Sequence, residues 1–363
     1  MKYCTLMLAT LMVLVATAQA ADEAKEIEIP APSGEGIVSP DAKLELLYTS
    51  DDTSLNRMTE GPAVGPDGAI YFTDIIFGKY QSYIMKFDPK TKKTTIFTDK
   101  SGKANGLIFA ADGALLACEG PDYGGVRLAS WDTKSGESKT IAGKYEGKAF
   151  SGPNDVCVDA NGRIYFTDPR YTGPEPIELE HQAVYMVNQD GSGLVEVTHE
   201  CEKPNGIAIS PDGRTLYVAD HNNGTNMIDA SKPAPPPGAM KIYSFPLGAD
   251  GLVAGKRKTF YDFGEAKGCD GMCVDVQGNV YLTARDGSRP GVLILNPEGK
   301  EAAFIPTGPA DQDPKGKLVG IPSNVEFGIG DESKTLYVTV DMSLYRIPML
   351  VEGYHVQYRN LKK

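Results

Sequence analysis

One sequence motif, here called the repeated phrase, occurs six times along this chain and limits its fold more than any other feature. Each copy begins with Glu, Asn or Asp, continues through six mostly small or apolar residues, and reaches a polar residue seven positions later. A turn and a second apolar, aromatic-rich run come next, as in residues 69–74 and 163–168. The pattern predicts six β-hairpins. The copies begin at Glu60, Asn105, Asn154, Asn205, Asp270 and Asn324.

The spacing of the copies predicts how the hairpins are arranged. Successive copies start 45 to 65 residues apart, and repeats of this length built from short strands are typical of β-propeller blades. We therefore expect an all-β, six-bladed β-propeller with four-stranded antiparallel blades around a central channel. Equivalent residues of the blades would form a ring around that channel.

The chain termini decide how the last blade is completed. Residues 43–50 and residues 354–358 both have strand-like patterns, so either segment can supply the missing strand. We expect the N-terminal segment to do so. A single propeller domain would then span residues 43–363.

The first residues are predicted to be removed. Lys2 precedes an apolar run and the small residues Ala18 and Ala20, a pattern typical of a secretory signal peptide over residues 1–20. An uncleaved membrane anchor is the alternative, although the run is shorter than the ~20 residues that a membrane span needs. Residues 21–42, rich in Glu, Pro and Ala, are predicted to be a mobile lead-in. The protein would be periplasmic or secreted.

Charge and cysteine content exclude some functions. The formal net charge is −12, which argues against nucleic acid as a partner, and after signal cleavage no membrane association is expected. Five of the six cysteines come after the predicted cleavage site. Cys118, Cys157 and Cys273 lie in strand-like runs, where cysteine usually acts as a small buried hydrophobic residue. Protein partners cannot be assigned from the sequence.

The six ring residues predict a metal or substrate site on the channel axis. Glu60 and Asp270 supply carboxylates, and the other four supply amides. Oxygen ligands of this kind favour a hard cation, with Ca²⁺ ahead of Mg²⁺ or Mn²⁺. The alternative is that these residues only cap turns, since the Asn-Gly pairs at Asn105 and Asn205 are by themselves a common turn signal.

Other catalytic signatures are missing from the sequence. There is no His-Glu-x-x-His pair and no Gly-x-Ser-x-Gly elbow, so zinc-protease and serine-hydrolase chemistry find no support. We expect the four histidines to be surface or turn residues.

The motifs resemble those of the family of senescence marker protein, gluconolactonase and luciferin-regenerating enzyme, which are calcium-dependent six-bladed propellers. The resemblance covers roughly residues 45–350. It is carried by Glu-Gly-Pro at 60–62, Ser-Gly-Pro-Asn-Asp at 151–155, Tyr-Phe-Thr-Asp-Pro at 165–169, Lys-Pro-Asn-Gly at 203–206, Asp-Gly-Met at 270–272 and Lys-Thr-Leu-Tyr-Val-Thr at 334–339.

The resemblance implies roles for individual residues. It places the metal ligands at Glu60, Asn154, Asn205 and Asp270, with Asn154 also a candidate for substrate binding. Asp270 becomes the candidate general base or nucleophile, with Asp220 as an alternative base. Substrate-binding positions are implied at Asn105, Arg170 and Tyr171.

One departure from the family leaves the substrate open. Animal members carry an arginine two residues before the asparagine that matches Asn154, whereas this chain has Gly152, and Arg170 is a candidate to replace that arginine. The function implied is an exported, calcium-dependent hydrolase of lactones or related esters, gluconolactonase-like, in which water attacks a metal-polarised carbonyl. The alternative is a non-catalytic propeller that binds a ligand or protein and keeps calcium for rigidity.

Overall fold

The structure of the protein is a computed structural model that describes residues 29–50, 56–225, 235–308 and 320–359. The predicted signal peptide lies outside these residues. None of the described residues forms a helix long and apolar enough to span a membrane.

Six four-stranded antiparallel sheets confirm the predicted six-bladed β-propeller. The first described strand, β1 (Glu45–Thr49), does not join blade 1 but belongs to the sheet of the last blade. Blades 1 to 3 are arranged in chain order, and each contributes four consecutive strands. They are β2 (Arg57–Val64), β3 (Ile70–Ile76), β4 (Tyr83–Asp88) and β5 (Lys93–Thr98); β6 (Ala104–Phe109), β7 (Leu115–Glu119), β8 (Arg127–Trp131) and β9 (Ser138–Ala142); and, after a small hairpin of β10 (Lys144–Tyr145) and β11 (Lys148–Ala149), β12 (Val156–Val158), β13 (Ile164–Asp168), β14 (Ala183–Val187) and β15 (Val195–Thr198).

Blades 4 and 5 also consist of four consecutive strands each. Blade 6 takes only three strands from this part of the chain. The strands are β16 (Pro204–Ile209), β17 (Thr215–His221), β18 (Met240–Pro246) and β19 (Lys258–Asp262); β20 (Cys269–Val274), β21 (Val280–Ala284), β22 (Gly291–Leu295) and β23 (Glu301–Pro306); and β24 (Pro322–Phe327), β25 (Thr335–Val340) and β26 (Ser343–Pro348). Two 3₁₀ turns complete the elements, η1 (Gly330–Glu332) and η2 (Val356–Tyr358).

The last blade is completed from the N-terminal side, as expected. Strand β1 pairs antiparallel with β26, so Glu45 lies opposite Arg346 and Thr49 opposite Ser343. Pairing two distant parts of the chain in one sheet closes the ring and removes the free edges that an open array would expose.

The predicted lead-in is only partly described. Residues 21–28 lie outside the described ranges, but Ile37, Val38 and Ala42 are buried in the core between blades 5 and 6. Ser33 pairs with Phe304 of β23. The described part of this segment is therefore packed on the propeller. Burial of its apolar side chains gives a favourable free energy that a mobile segment would not have.

The cores lie between the blades. Inward-facing residues of adjacent sheets fill them, as where Phe72 and Phe87 of blade 1 pack with Tyr337 of blade 6. The expected burial of Cys118, Cys157 and Cys273 is confirmed, and all five cysteines in the described part of the chain are buried free thiols.

The two ends of the channel differ. At one end, here called the mouth, the first strands begin and the loops between second and third strands form the border. At the other end the C-terminal segment, residues 351–359, crosses the channel. Tyr354 donates to the carbonyl of Pro211 (2.9 Å) and Tyr358 to that of Val64 (2.6 Å), which ties the segment to blades 4 and 1. The channel is thus closed at the end away from the mouth.

Candidate active site at the mouth of the channel

The repeated phrase forms a tight ring because glycine directly follows its first residue in blades 1, 2, 4 and 5. In these four blades the strand register shifts at the ring residue or its glycine, and in blade 6 it shifts just before Asn324, which is the irregularity of a β-bulge. A Cβ added at Gly61 would overlap the carbonyl of Asn105, and one at Gly206 would overlap the carbonyl of Asp270. Only glycine lets the ring residue of the next blade approach so closely.

The Asn-Gly pairs therefore lie in strands rather than in turns. Asn105 and Gly106 belong to β6, and Asn205 and Gly206 belong to β16. Gly106 donates its N–H to the carbonyl of Asn154 in the next blade (2.7 Å). The turn-capping alternative is excluded for these two positions.

Five of the six ring residues line one cavity of about 730 Å³ at the mouth. The sixth, Asn324, lies deeper in the channel, where its side chain accepts the N–H of Val325 (2.8 Å) and hydrogen-bonds Asp155. The five that share the cavity are Glu60, Asn105, Asn154, Asn205 and Asp270.

Buried negative charge collects at the bottom of this cavity. Glu60 and Asp270 are 2% and 9% exposed. Burial raises the pKa of the Glu60 carboxyl well above its ordinary value, and the negative charge of Asp270 raises it further. Asp155 lines the cavity at the closed end instead, but its charge also raises the pKa of Glu60, and burial raises its own pKa to about 7. Such a cluster favours a cation, which would offset the repulsion.

Arg285 supplies one positive charge to this cluster. It comes directly after β21, lines the cavity, and forms an ion pair with the Asp270 carboxylate through Nη1, which also donates to the carbonyl of Pro322 (3.2 Å). Arg285 was not predicted from the sequence because it lies outside the repeated phrase. Its one signal was the end of the second strand, where blades 1 to 4 have an acid and blade 5 has Ala284 followed by Arg285.

Tyr171 lies in the cavity, as the resemblance implied, and it orients a ring residue. Its hydroxyl donates to the carbonyl of His221 (2.8 Å) and accepts from Nδ2 of Asn205 (3.2 Å). Because the amide nitrogen of Asn205 is engaged, its oxygen is the atom left for a ligand. The Lys203 ammonium lies 4.7 Å from the centre of the Tyr171 ring.

Arg170 does not fit the predicted substrate contact. Its side chain is fully buried and absent from the cavity wall. It donates to the carbonyls of Ser151 (2.6 Å), Gly173 (2.9 Å) and Glu175. Arg170 thus fixes the loop after β13 from within, because one buried guanidinium binds two of its carbonyl groups and ties them to Ser151, which precedes β12.

Gly152 is explained by its neighbours. A Cβ at this position would lie 2.7 Å from the carbonyl oxygen of Pro169 and 3.0 Å from the Pro121 ring. There is no room here for the arginine of the animal family members. Positive charge at the cavity wall comes instead from Arg285, from the exposed Lys267, and from Lys103, a buried lysine that donates to the carbonyl of Ile76 and lies 3.3 Å from Asp122.

Asp220, the alternative base, has a structural role. Its carboxylate accepts the N–H groups of Glu202 (2.9 Å) and Lys203 (2.8 Å), the residues just before Asn205. Asp168 does the same for Ser151 and Gly152 in blade 3. These carboxylates lie at the ends of the second strands of their blades and position the segments that lead into the ring.

His221 departs from the expectation that the histidines are surface or turn residues. It ends β17, is 6% exposed, and lines the cavity. Burial lowers its pKa to about 4, so the imidazole is neutral at pH 7. Its Nδ1 has no hydrogen-bond partner among the described residues.

The donors at the bottom of the cavity fit a hard cation. Two carboxylates, Glu60 and Asp270, and the amide oxygens of Asn154 and Asn205 are ligands that calcium prefers. No three His, Cys, Asp or Glu side chains form a metal group in the ranges that the structure describes. Any metal held here would therefore need amide ligands as well.

Comparison with known proteins places this chain in a family. Residues 58–341 match the model of the SMP-30/Gluconolactonase/LRE-like region. The protein belongs to this family. It is 26% identical over 317 residues to a gluconolactonase of Zymomonas mobilis, which covers 80% of this chain and 78% of that protein.

Solved structures share the fold. A gluconolactonase from Xanthomonas campestris has a TM-score of 0.69 at 24% identity, covering 89% of this chain and 95% of that one. A calcium-binding protein, regucalcin, from Agrobacterium tumefaciens has a TM-score of 0.63 at 18% identity, covering 86% and 96%. These structures show the shared fold, while the family match and the gluconolactonase relative identify the chain as a member of a lactonase-type hydrolase family.

Proposed function

We propose that this protein is an exported, calcium-dependent hydrolase of lactones. The observation that carries the proposal is the cluster of Glu60, Asp270 and two amide groups at the bottom of the mouth cavity, in a chain that is similar to a gluconolactonase. Calcium is favoured by this ligand chemistry, and regucalcin, a structural neighbour, is described as calcium-binding.

Glu60, Asn154, Asn205 and Asp270 would hold the metal ion. When bound, calcium would polarise the lactone carbonyl and stabilise negative charge on its oxygen. Asp270 either takes a proton from the attacking water or attacks the carbonyl itself. Arg285 orients the Asp270 carboxylate through their ion pair. Asn105 and Tyr171 lie where a substrate in the cavity would contact them.

The test is hydrolysis of a panel of lactones and esters by the mature protein. Glucono-δ-lactone, γ-butyrolactone and phenyl acetate would be assayed with calcium, with magnesium or manganese, and with a chelator, after subtraction of spontaneous hydrolysis. We expect turnover that the chelator abolishes and calcium restores. Turnover that ignores the chelator would overturn the metal mechanism.

Two aspartate variants place the chemistry. Asp270→Asn is expected to lower kcat by about 100-fold or more, since general base catalysis typically contributes 10²–10⁴-fold. Asp67→Asn is the matched control, because Asp67 lies in an exposed turn where its carboxylate binds Lys86. Calcium binding without turnover of any compound would favour the non-catalytic binding propeller.

Export is proposed from the sequence alone, since the signal peptide lies outside the described residues. Expression of the full chain in a bacterial host should yield protein in the periplasm or medium whose N-terminus is Ala21. A protein retained in the membrane with Met1 or Lys2 still present would contradict this.

A further inference from the structure

Exposed aromatic residues border one side of the mouth. Tyr80 is 78% exposed and Tyr123 is 47% exposed, although large apolar side chains are usually buried. They lie on the loops between the second and third strands of blades 1 and 2, and their ring centres are 4.8 Å apart at an interplanar angle of 44°. Two rings in contact across neighbouring blades form a small aromatic surface.

A hydrogen-bond network holds this aromatic pair in place. Asp122 and Tyr123 both have φ of 67°, a conformation that non-glycine residues rarely adopt and that recurs at ligand-binding sites. The Glu175 carboxylate accepts both of their N–H groups, at 3.1 and 2.7 Å. Asp122 in turn accepts the N–H of Gly78 (2.6 Å), which links the two loops.

Arg170 extends the network into the protein. Its buried guanidinium donates to the carbonyls of Gly173 and Glu175, so it fixes the segment that carries the Glu175 carboxylate. A surface tyrosine normally has no such support. The position of Tyr123 is therefore determined by a buried cation two contacts away.

The aromatic pair continues the wall of the mouth cavity. Phe77, Pro121 and Asp122 line the cavity, and Tyr80 and Tyr123 come after them on the same loops. The volume of about 730 Å³ lies toward the upper end of the roughly 300–1,000 Å³ typical of sites that enclose drug-sized ligands. The cavity is thus larger than one six-carbon lactone requires.

We propose that Tyr80 and Tyr123 form a sugar-binding subsite, and that the substrate is an aldonolactone that carries a second sugar ring. The C–H face of a pyranose packs on tyrosine rings, which present a rigid apolar face with a polar edge. Lys79 and Gln81, exposed beside Tyr80, can bind the hydroxyls. An alkyl chain would gain nothing from these polar groups, whereas sugar hydroxyls can replace the water around them. This inference rests on the proposed lactonase function and names its substrate class.

The test compares two lactones that differ by one sugar ring. Cellobiono-δ-lactone and glucono-δ-lactone would be assayed with wild type, Tyr80→Ala, Tyr123→Ala and the two Phe variants. Each Ala variant should raise KM for the disaccharide lactone about 3- to 10-fold, as expected for loss of an aromatic contact, with the glucono-δ-lactone kinetics unchanged. The Phe variants should keep most of the affinity. Ile96→Ala, an equally exposed site on β5, is the control.

Several outcomes would overturn the subsite. Equal loss on both lactones would mean that the tyrosines only support the cavity. An unchanged KM for both would mean that they do not contact substrate. A loss confined to an alkyl-substituted γ-lactone would assign the surface to an acyl chain instead.

Binding measurements separate this inference from the proposed function. If wild type hydrolyses neither lactone, the hydrolase proposal fails, and calorimetric titration with cellobionic acid and gluconic acid tests the subsite alone. Tighter binding of cellobionic acid that Tyr80→Ala and Tyr123→Ala weaken would support it. Equal binding of the two acids, or equal binding by all variants, would overturn it.

Discussion

The two ends of the channel both contain buried carboxyl groups, but their surroundings differ. At the mouth, Glu60 and Asp270 face an open cavity and the guanidinium of Arg285. At the closed end, Glu326 lies beside a cavity of about 120 Å³ under the C-terminal segment, 3.8 Å from His355. Burial raises the pKa of Glu326 to about 8 and lowers that of His355 to about 4.

Burial alone therefore does not distinguish the two groups of acids. At pH 7 Glu326 and His355 are both mostly neutral, and burying them in the neutral form costs less free energy than burying them charged. The mouth combines carboxylates with access for a ligand and a fixed cation. Four predictions test this contrast, from the largest expected effect to the smallest.

Replacement of glutamate by glutamine should impair calcium binding and turnover at the mouth but have little effect at the closed end. Glu60→Gln removes a proposed metal ligand and is expected to lower calcium affinity about 100-fold, with turnover falling in parallel. Mutation of residues that only support a metal ligand typically lowers metal affinity or activity 10–100-fold, so loss of a ligand itself should reach the upper end of this range. Glu326→Gln should leave kcat/KM within about twofold, because glutamine resembles the protonated acid. Calorimetric calcium titration and lactone kinetics on both variants provide the measurement. Similar losses in the two would erase the distinction between the ends.

Arg285 should stabilise the mouth in a way that calcium can replace. Arg285→Gln leaves Asp270 without its charged partner, so we expect the free energy of unfolding to fall by about 1–3 kcal/mol in chelator. Added calcium should restore most of the loss. Arg289→Gln is the control, since its pair with Glu301 is exposed and worth about 0–1 kcal/mol. Urea unfolding of both variants measures this, and a deficit that calcium does not reduce would count against the metal site.

The closed end should make stability depend on pH. Because the pKa of Glu326 is raised in the folded protein, the folded state holds a proton that the unfolded state releases between pH ~4.5 and 8. The contribution of Glu326 to stability therefore falls as pH rises through this window, by at most about 1.4 kcal/mol per unit. The lowered pKa of His355 acts in the opposite direction between about pH 4 and 6.5, so comparison with a Glu326 variant is needed to isolate the glutamate. Glu326→Gln should remove this contribution, so its advantage over wild type grows toward pH 8. Parallel pH profiles for the two proteins would rule out the raised pKa.

The attachment of the C-terminal segment should affect stability alone. Tyr358→Phe removes the hydrogen bond to the Val64 carbonyl and should cost about 1 kcal/mol, lowering Tm by roughly 1–2 °C. Lactone kinetics should not change. Tyr80→Phe, on an exposed ring, serves as the control in the melting experiment. A change in kcat/KM for Tyr358→Phe would mean that the two ends are coupled.

The sequence by itself determined the repeated architecture. The repeated phrase and its spacing predicted six blades and the ring, because strand patterns and turns are local properties that repeat in the chain. The closing strand was left between two segments, since both termini have strand-like patterns. Five of the six ring positions then meet in one cavity, since equivalent residues of a closed propeller share one level of the channel.

Tertiary structure decided what surrounds that ring. Arg285 forms an ion pair with Asp270, and Arg170 points inward and pairs with Glu175. Tyr123 contacts Tyr80 only because the fold brings two blades together. The C-terminal segment, an alternative closing strand by its sequence, instead crosses the channel as η2. Tyr80 and Tyr123 come from different blades, and the contacts of Arg170 and Arg285 depend on the direction in which each side chain turns, so no strand or turn pattern encodes them. They depend on how loops and side chains pack once the propeller has closed.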